Sequence, residues 1–92
     1  MEYVVSTYSE EERAWITQEI HLQRDIYLMI ELKHPGKLVI RQDTGNGKKP
    51  RVPIQAHKDT DKFYLRMGII PENVKIQIFT STEPKEIKYA YI

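Results

Sequence analysis

The chain has 92 residues, no cysteine and a formal net charge of +1 at pH 7. This length favours a single domain, residues 1–92, in which most apolar side chains are needed for one core. The lack of cysteine excludes disulfide frameworks, thiolate zinc sites and cysteine nucleophiles, and no apolar run is long enough for a transmembrane helix, so we expect no membrane partner.

Charge is unevenly distributed along the chain. Residues 1–32 contain seven acidic and two basic side chains, whereas residues 33–66 contain nine basic and three acidic ones. Such asymmetry indicates either an anionic partner or charge complementarity within the fold. The N-terminal sequence lacks the basic start and apolar stretch of a signal peptide. We therefore expect a cytoplasmic protein or a component of a particle assembled inside a cell.

The first structural signal is the stretch Ser9-Glu10-Glu11-Glu12. A serine followed three residues later by a glutamate is the capping box that opens many helices. The stretch predicts a short N-terminal helix or a capped turn starting at Glu10, within a segment 1–19 that packs on or beside a sheet. In the alternative α+β interpretation, one helix over about residues 10–23 packs on the sheet.

Residues 20–92 have the two-residue periodicity of half-buried strands. A short strand is expected near Ile20-His21-Leu22. Strands over 26–33 and 37–42 form a predicted hairpin, because His34-Pro35-Gly36-Lys37 between them has the composition of a type II turn.

Further strands are expected around residues 52–56, 63–67, 74–79 and 87–92. The strand at 52–56 is expected to lie at a sheet edge or to start late, because Pro50 and Pro53 cannot donate to a ladder. About seven short strands separated by turn residues predict a mostly β domain, a small antiparallel sandwich or barrel. Its expected core residues are Leu28, Ile30, Leu38, Ile40, Val52, Ile54, Phe63, Leu65, Ile76 and Ile78.

The stretch DTGNGKKPR, residues 43–51, contains two short motifs. Asp43-Thr44-Gly45 is the triplet that carries the catalytic aspartate in aspartic proteases, but such an aspartate needs apolar flanks that bury it, and here Arg41 and Gln42 precede it. The glycines do not form a phosphate loop, because no helix is expected after them. We interpret 43–50 as an exposed, mobile hairpin loop that presents Lys48, Lys49 and Arg51 as contact candidates.

No other constellation in the sequence predicts catalysis, a metal or a cofactor. Asp59-Thr60-Asp61 offers two carboxylates, too few for a calcium site. The three histidines are far apart and lack ligand spacing. We therefore expect a protein that is not an enzyme and that binds no metal or cofactor.

The face of the strands opposite the predicted core is rich in aromatic and basic side chains. Such a face is typical of protein interfaces and of surfaces that stack single-stranded bases, although cross-strand aromatic pairs also simply stabilise sheets. Its predicted members are Tyr27, Met29, Val39, Arg41, Tyr64, Arg66, Gln77, Phe79, Tyr89 and Tyr91.

These observations predict a non-catalytic interaction or structural module that binds a protein partner or itself through this face. The alternative is a single-stranded nucleic-acid-binding domain of OB-like character. The residues predicted to bind the partner are Tyr27, Arg41, Lys48, Lys49, Arg51, Tyr64, Arg66 and Phe79.

Overall fold

The computed structural model describes residues 1–43, 51–56, 59–68 and 74–92, and of residues 51–53 it describes the backbone only. These residues contain ten strands and no helix, so none that could cross a bilayer. The strands are β1 (Glu2–Tyr3), β2 (Ser6–Ser9), β3 (Ala14–Thr17), β4 (Ile20–Leu22), β5 (Ile26–Gly36), β6 (Leu38–Asp43), β7 (Arg51–Gln55), β8 (Thr60–Met67), β9 (Val74–Thr80) and β10 (Pro84–Tyr91).

The strands form two antiparallel sheets that enclose one core, which confirms the predicted mostly β architecture. The four-stranded sheet has the order β1-β10-β5-β8. The six-stranded sheet has the order β2-β3-β9-β6-β7, and β4 also pairs with β9. The short strand at 20–22 and the edge position of β7 were both predicted correctly. The N-terminal segment 1–19 supplies strands to both sheets.

The predicted N-terminal helix is wrong, and so is the α+β alternative. Ser9 does cap a turn, because the backbone N–H of Glu12 donates to its Oγ at 3.2 Å. The turn ends at Arg13, whose φ of 53° is left-handed, and the chain then reverses into β3. Aromatic and β-branched residues follow in β3, which pairs with both β2 and β9. Of the two alternatives, the capped turn is therefore the correct one.

The predicted hairpin of residues 26–33 and 37–42 is also wrong, because these strands belong to different sheets. Strand β5 continues through Gly36, which pairs with Thr60 in the four-stranded sheet. After one residue, Leu38 is already paired with Thr80 in the six-stranded sheet. His34 to Lys37 therefore form a corner between the sheets rather than a hairpin turn.

Hydrogen bonds join this corner to the segment between β9 and β10, where the chain crosses back. Lys37 N–H donates to Ser81 Oγ at 2.7 Å, and Ser81 N–H donates to the Lys37 carbonyl at 3.0 Å. Thr82 Oγ1 donates to the His34 carbonyl at 2.7 Å. Lys33 adds a backbone bond of 2.9 Å to the Glu83 carbonyl and an ion pair of 2.9 Å to its carboxylate. The two crossings thus form one structural unit.

The core lies between the sheets and largely matches the predicted core. Ile54 and Leu65, two of its predicted members, are only partly buried against it, and the side chain of Val52 lies outside the described residues. Strands β6 and β7 pair antiparallel as expected. Residues 44–50, which belong to the predicted mobile loop, also lie outside the described residues. The buried apolar residues that form this core cluster are Leu22, Ile26, Leu28, Ile30, Leu32, Leu38, Ile40, Phe63, Met67, Val74, Ile76, Ile78 and Ile87.

The corner leads to a first prediction, that Gly36→Ala destabilises the domain by about 1–3 kcal/mol, the usual cost of forcing extra atoms into a packed site. A Cβ at Gly36 would lie 2.6 Å from Thr82 Oγ1 and 2.8 Å from Ser81 Oγ, the atoms that join the two crossings. Gly68→Ala is the matched control, since its Cβ would meet no atom within 4 Å. Urea unfolding of both variants measures the difference. Equal stabilities would show that the corner tolerates a side chain.

Candidate interaction surface

The side chains predicted to bind a partner do not share one surface, which corrects the expectation of a single aromatic and basic face. Tyr27, Tyr64 and Arg66 are on the outer face of the four-stranded sheet. Arg41 and Phe79 belong to β6 and β9 of the six-stranded sheet. The separation follows from the corner, because β6 leaves the sheet that contains β5.

The remaining predicted contacts are in or beside the β6–β7 connection. Lys48 and Lys49 lie outside the described residues. Arg51 begins β7, opposite Gln42, and its side chain is not among those described.

The outer face of the four-stranded sheet brings aromatic and basic residues together in rows across its strands. In one row Tyr3 pairs with Lys88, Lys88 with Met29, and Met29 with Tyr64. In the next row Ala90 pairs with Tyr27, and Tyr27 with Arg66. We call these residues, apart from Ala90, the tyrosine face: Tyr3, Tyr27, Met29, Tyr64, Arg66 and Lys88.

The tyrosine face points outward because β5 alternates strictly between core and surface. Leu28 and Ile30 are buried, so Tyr27, Met29 and Glu31 project to the other side. The tyrosine rings are unusually exposed, at 67% for Tyr3, 49% for Tyr27 and 72% for Tyr64. Exposed aromatic rings on β1, β5 and β8 therefore share one face of the sheet.

Charged side chains border the tyrosine face. Lys88 forms an ion pair with Glu86 at 3.5 Å, and Glu31 forms one with Lys85 at 3.7 Å. Glu86 and Glu31 are opposite each other, in the row next to the one that contains Met29. Arg66 forms no ion pair with any residue in the described ranges. The face is therefore mixed in charge, with its guanidinium available for an external partner.

The relief of the tyrosine face is shallow. A depression of about 330 Å³ lies along β5 and β8, lined by Tyr27, Leu28, Met29, Tyr64, Leu65 and Arg66. This volume is at the lower limit for small-molecule pockets, which usually measure ~300–1,000 Å³ and enclose their ligand.

Phe79 was predicted to be exposed at the site, but it is buried on the outer face of the six-stranded sheet, with 7% exposure. The guanidinium of Arg41 lies over its ring, with Cζ 4.4 Å from the ring centroid. Arg41 also approaches the Glu12 carboxylate at 3.7 Å. This arrangement covers the ring, so the Arg41–Phe79 pair stabilises the six-stranded sheet rather than presenting an open aromatic surface.

Tyr89 and Tyr91 were placed on the wrong face of their strand. Tyr89 pairs with Leu28 and Tyr91 with Ile26, so both are on the core side of β10. The sequence contained the signal for this, because Ile87 is the core residue of that strand, and Tyr89 and Tyr91 are the alternate residues that follow it on the same side. Lys88 was missed for the same reason, since it lies on the opposite side of β10 from these tyrosines. Tyr3 was missed because the two-residue β1 has no visible alternation.

A second concavity opens between the N-terminal strands and β10, with a volume of about 680 Å³. Its lining includes Glu2, Glu19, His21 and Tyr89, but Glu19 is paired with Lys75 at 3.8 Å. No group of three or more potential metal ligands occurs in the described ranges. Asp43, from the protease-like triplet, is an exposed residue at the end of β6.

Tyr89 gives the second prediction, a loss of stability at alkaline pH. Burial raises the pKa of Tyr89 above 10.0, and Tyr91, 5.8 Å away between ring centroids, raises it further. The folded state therefore favours the neutral phenol. This contribution is fully present below pH 10.0 and is lost as the pH rises through the folded pKa.

Chemical denaturation over a series of alkaline pH values measures this effect as a decrease in the free energy of unfolding above pH 10.0. Tyr89→Phe reduces the slope of the decrease, because the substituted ring has no proton to lose. Tyr64→Phe, which removes the same hydroxyl from a largely exposed ring, is the matched control. A Tyr89→Phe variant with the parent slope would contradict the prediction.

Comparison of the chain with models of protein families, with curated proteins and with solved structures finds no match.

Proposed function

We propose that the protein is a non-catalytic interaction or structural module that binds a protein partner, or a second copy of itself, through the tyrosine face. The observation that supports this proposal most directly is the exposure of Tyr3, Tyr27 and Tyr64 on one sheet face. Tyrosine and arginine are enriched at the energetic centres of protein interfaces. Met29 between the rings and the charges of Glu31 and Glu86 beside them complete an apolar centre with a polar border.

A purely structural role for these rings explains less of the geometry. Tyr64 is directly opposite Met29, a pairing that stabilises a sheet by roughly 0.2–1 kcal/mol. Such a pairing requires the ring to lie on its neighbour, yet 72% of Tyr64 is exposed. Most of its surface is therefore available to another molecule.

The face is also rigid, which favours binding. Strand β5 is paired on both sides, by β10 and by β8, and carries Tyr27 and Met29 at its centre. Aromatic side chains held on a fixed backbone lose little conformational freedom when they bind, so more of their contact energy contributes to affinity.

The chemistry of the tyrosine face supports binding rather than catalysis. Its side chains are phenols, a thioether, a guanidinium and an ammonium group. None of them is the serine, cysteine or histidine of common nucleophilic sites. A domain of this kind is suited to assembly, so we propose that it acts in the cytoplasm or in a particle assembled inside a cell.

The third prediction tests the tyrosine face directly. Tyr64→Ala weakens self-association or partner binding by about 1–2 kcal/mol or more, as expected for a central aromatic anchor. Tyr8→Ala is the matched control, because Tyr8 is an exposed tyrosine on the six-stranded sheet. Light scattering over a concentration series measures self-association, and quantitative capture from a cell extract compares partner binding by the two variants.

Two outcomes of this experiment have opposite meanings. Loss of binding in Tyr64→Ala but not in Tyr8→Ala supports the tyrosine face. Identical binding by both variants, with a lower melting temperature for Tyr64→Ala, would contradict it and leave the rings with a role in sheet stability alone.

Single-stranded nucleic acid is the second candidate partner, favoured by exposed rings next to Arg66. Bases stack on aromatic rings while cations contact the phosphates. Against it, the carboxylates of Glu31 and Glu86 adjoin the same rings. The carboxylates repel phosphate, and for this reason we rank a protein partner first.

The fourth prediction separates the two candidates by titration of a labelled single strand at low and moderate salt. For a protein-binding face we expect no binding even at low salt. Phosphate contacts give the opposite result, with affinity that decreases as salt increases and a salt slope that Arg66→Ala reduces. Tyr64→Ala then tests for base stacking, because loss of a stacked ring lowers the affinity for the single strand at both salt concentrations.

A further inference from the structure

The four-stranded sheet ends in an open strand edge next to the tyrosine face. Among the described strands, five pair on one side only, and one of these, β4, has three residues. Strands β1 and β2 have only two and four residues, and β7 contains Pro53, which cannot donate a hydrogen bond. Strand β8 has eight residues and no proline, and of the described strands only β5 pairs with it. Such an edge presents unpaired N–H and C=O groups that can bind another strand.

The core side of β8 is also incompletely covered. Phe63 and Met67 are buried, with 7% and 4% exposure, but Leu65 between them is only partly buried. A further strand at this edge would place its own core-side residues next to Leu65. Leu65, the incompletely buried residue, therefore lies within the unpaired edge strand.

The sequence of β8 is compatible with pairing to itself in one register. Two copies related by a two-fold axis pair antiparallel around one central residue, and opposite residues must lie on the same face. Centring on Tyr64 places Lys62 opposite Arg66, which brings like charges together. Centring on Phe63 places Leu65 opposite Asp61 on the core side. Both registers are unfavourable.

Centring on Leu65 removes both conflicts. On the core side Leu65 is then opposite itself and Phe63 is opposite Met67, so both pairs formed within β8 are apolar. On the outer face Tyr64 is opposite Arg66 of the second copy, a favourable pairing of an aromatic ring and a guanidinium. Lys62 is opposite Gly68, beside which there is open space.

We infer that β8 pairs antiparallel with β8 of a second copy, centred on Leu65, so that two four-stranded sheets become one sheet of eight strands. The inference rests on the proposed function and names a second copy as the partner. Each Arg66 then lies between Tyr27 of its own chain and Tyr64 of the second copy. The two tyrosine faces become one continuous surface, which explains why Arg66 has no acidic partner within the described part of its own chain.

Disulfide trapping tests this register, since the natural chain has no cysteine. The two-fold axis passes midway between the two copies of Leu65, so these are ~4.5–5.5 Å apart between Cα atoms, within the range for a disulfide. Under mild oxidation at micromolar concentration, Leu65→Cys forms a covalent dimer. Lys62→Cys is the matched control on the same strand, because its copies are about 20 Å apart in this register at ~3.4 Å per residue.

We expect Leu65→Cys to cross-link on the order of a hundred times faster than Lys62→Cys, because pairing raises the local thiol concentration from micromolar towards millimolar. A mixture of Tyr64→Cys and Arg66→Cys provides a second measurement that does not alter the core. These residues are opposite each other in the dimer, and both are exposed. Their heterodimer therefore forms in preference to either homodimer.

Light scattering of the unmodified chain completes the test, with twice the mass of a single chain as the expected result. A dimer in which Lys62→Cys cross-links as fast as Leu65→Cys, or in which the mixture shows no heterodimer preference, would overturn the register. A monomer without selective cross-linking would overturn the whole inference. The proposed function would survive either result if Tyr64→Ala, but not Tyr8→Ala, reduced capture of a different protein.

Discussion

The corner at Lys37 determines the arrangement of the domain. One residue separates Gly36 in the four-stranded sheet from Leu38 in the six-stranded sheet, and both backbone groups of Lys37 bind Ser81. The return crossing between β9 and β10 is therefore fixed at the same point. Because both crossings are joined by hydrogen bonds, the two sheets are held together where the chain passes between them.

The composition of the tyrosine face is a consequence of this corner. Since β6 leaves the sheet, the neighbours of β5 are β8 and β10 rather than the next strand in sequence. Tyr27 and Met29 therefore adjoin Tyr64, Arg66 and Lys88. Had residues 26–42 formed a hairpin, Arg41 would lie on this face, and Phe79 would lack the guanidinium that covers it.

Local periodicity was sufficient to predict most strands of residues 20–92 and most of the core, but not β1, β2 and β3, because alternation shows which side of a strand is buried only where the strand is long enough to display it. It could not predict which strands pair. That choice depends on hydrogen bonds between distant residues, such as Thr82 with His34. The capping box at Ser9 correctly predicted a local hydrogen bond but not a helix, because β3 pairs with β9 instead. The exposure of Phe79 was mispredicted for a similar reason, since its cover comes from another strand.

The strand order also affects how the protein folds during synthesis. Of the described strands, those adjacent in the four-stranded sheet are never consecutive in the sequence, and β10 lies between β1 and β5. This sheet depends entirely on contacts between distant segments, which form slowly. A nascent chain cannot complete it until β10 has left the ribosome. Chains that end before β10 therefore do not assemble the tyrosine face.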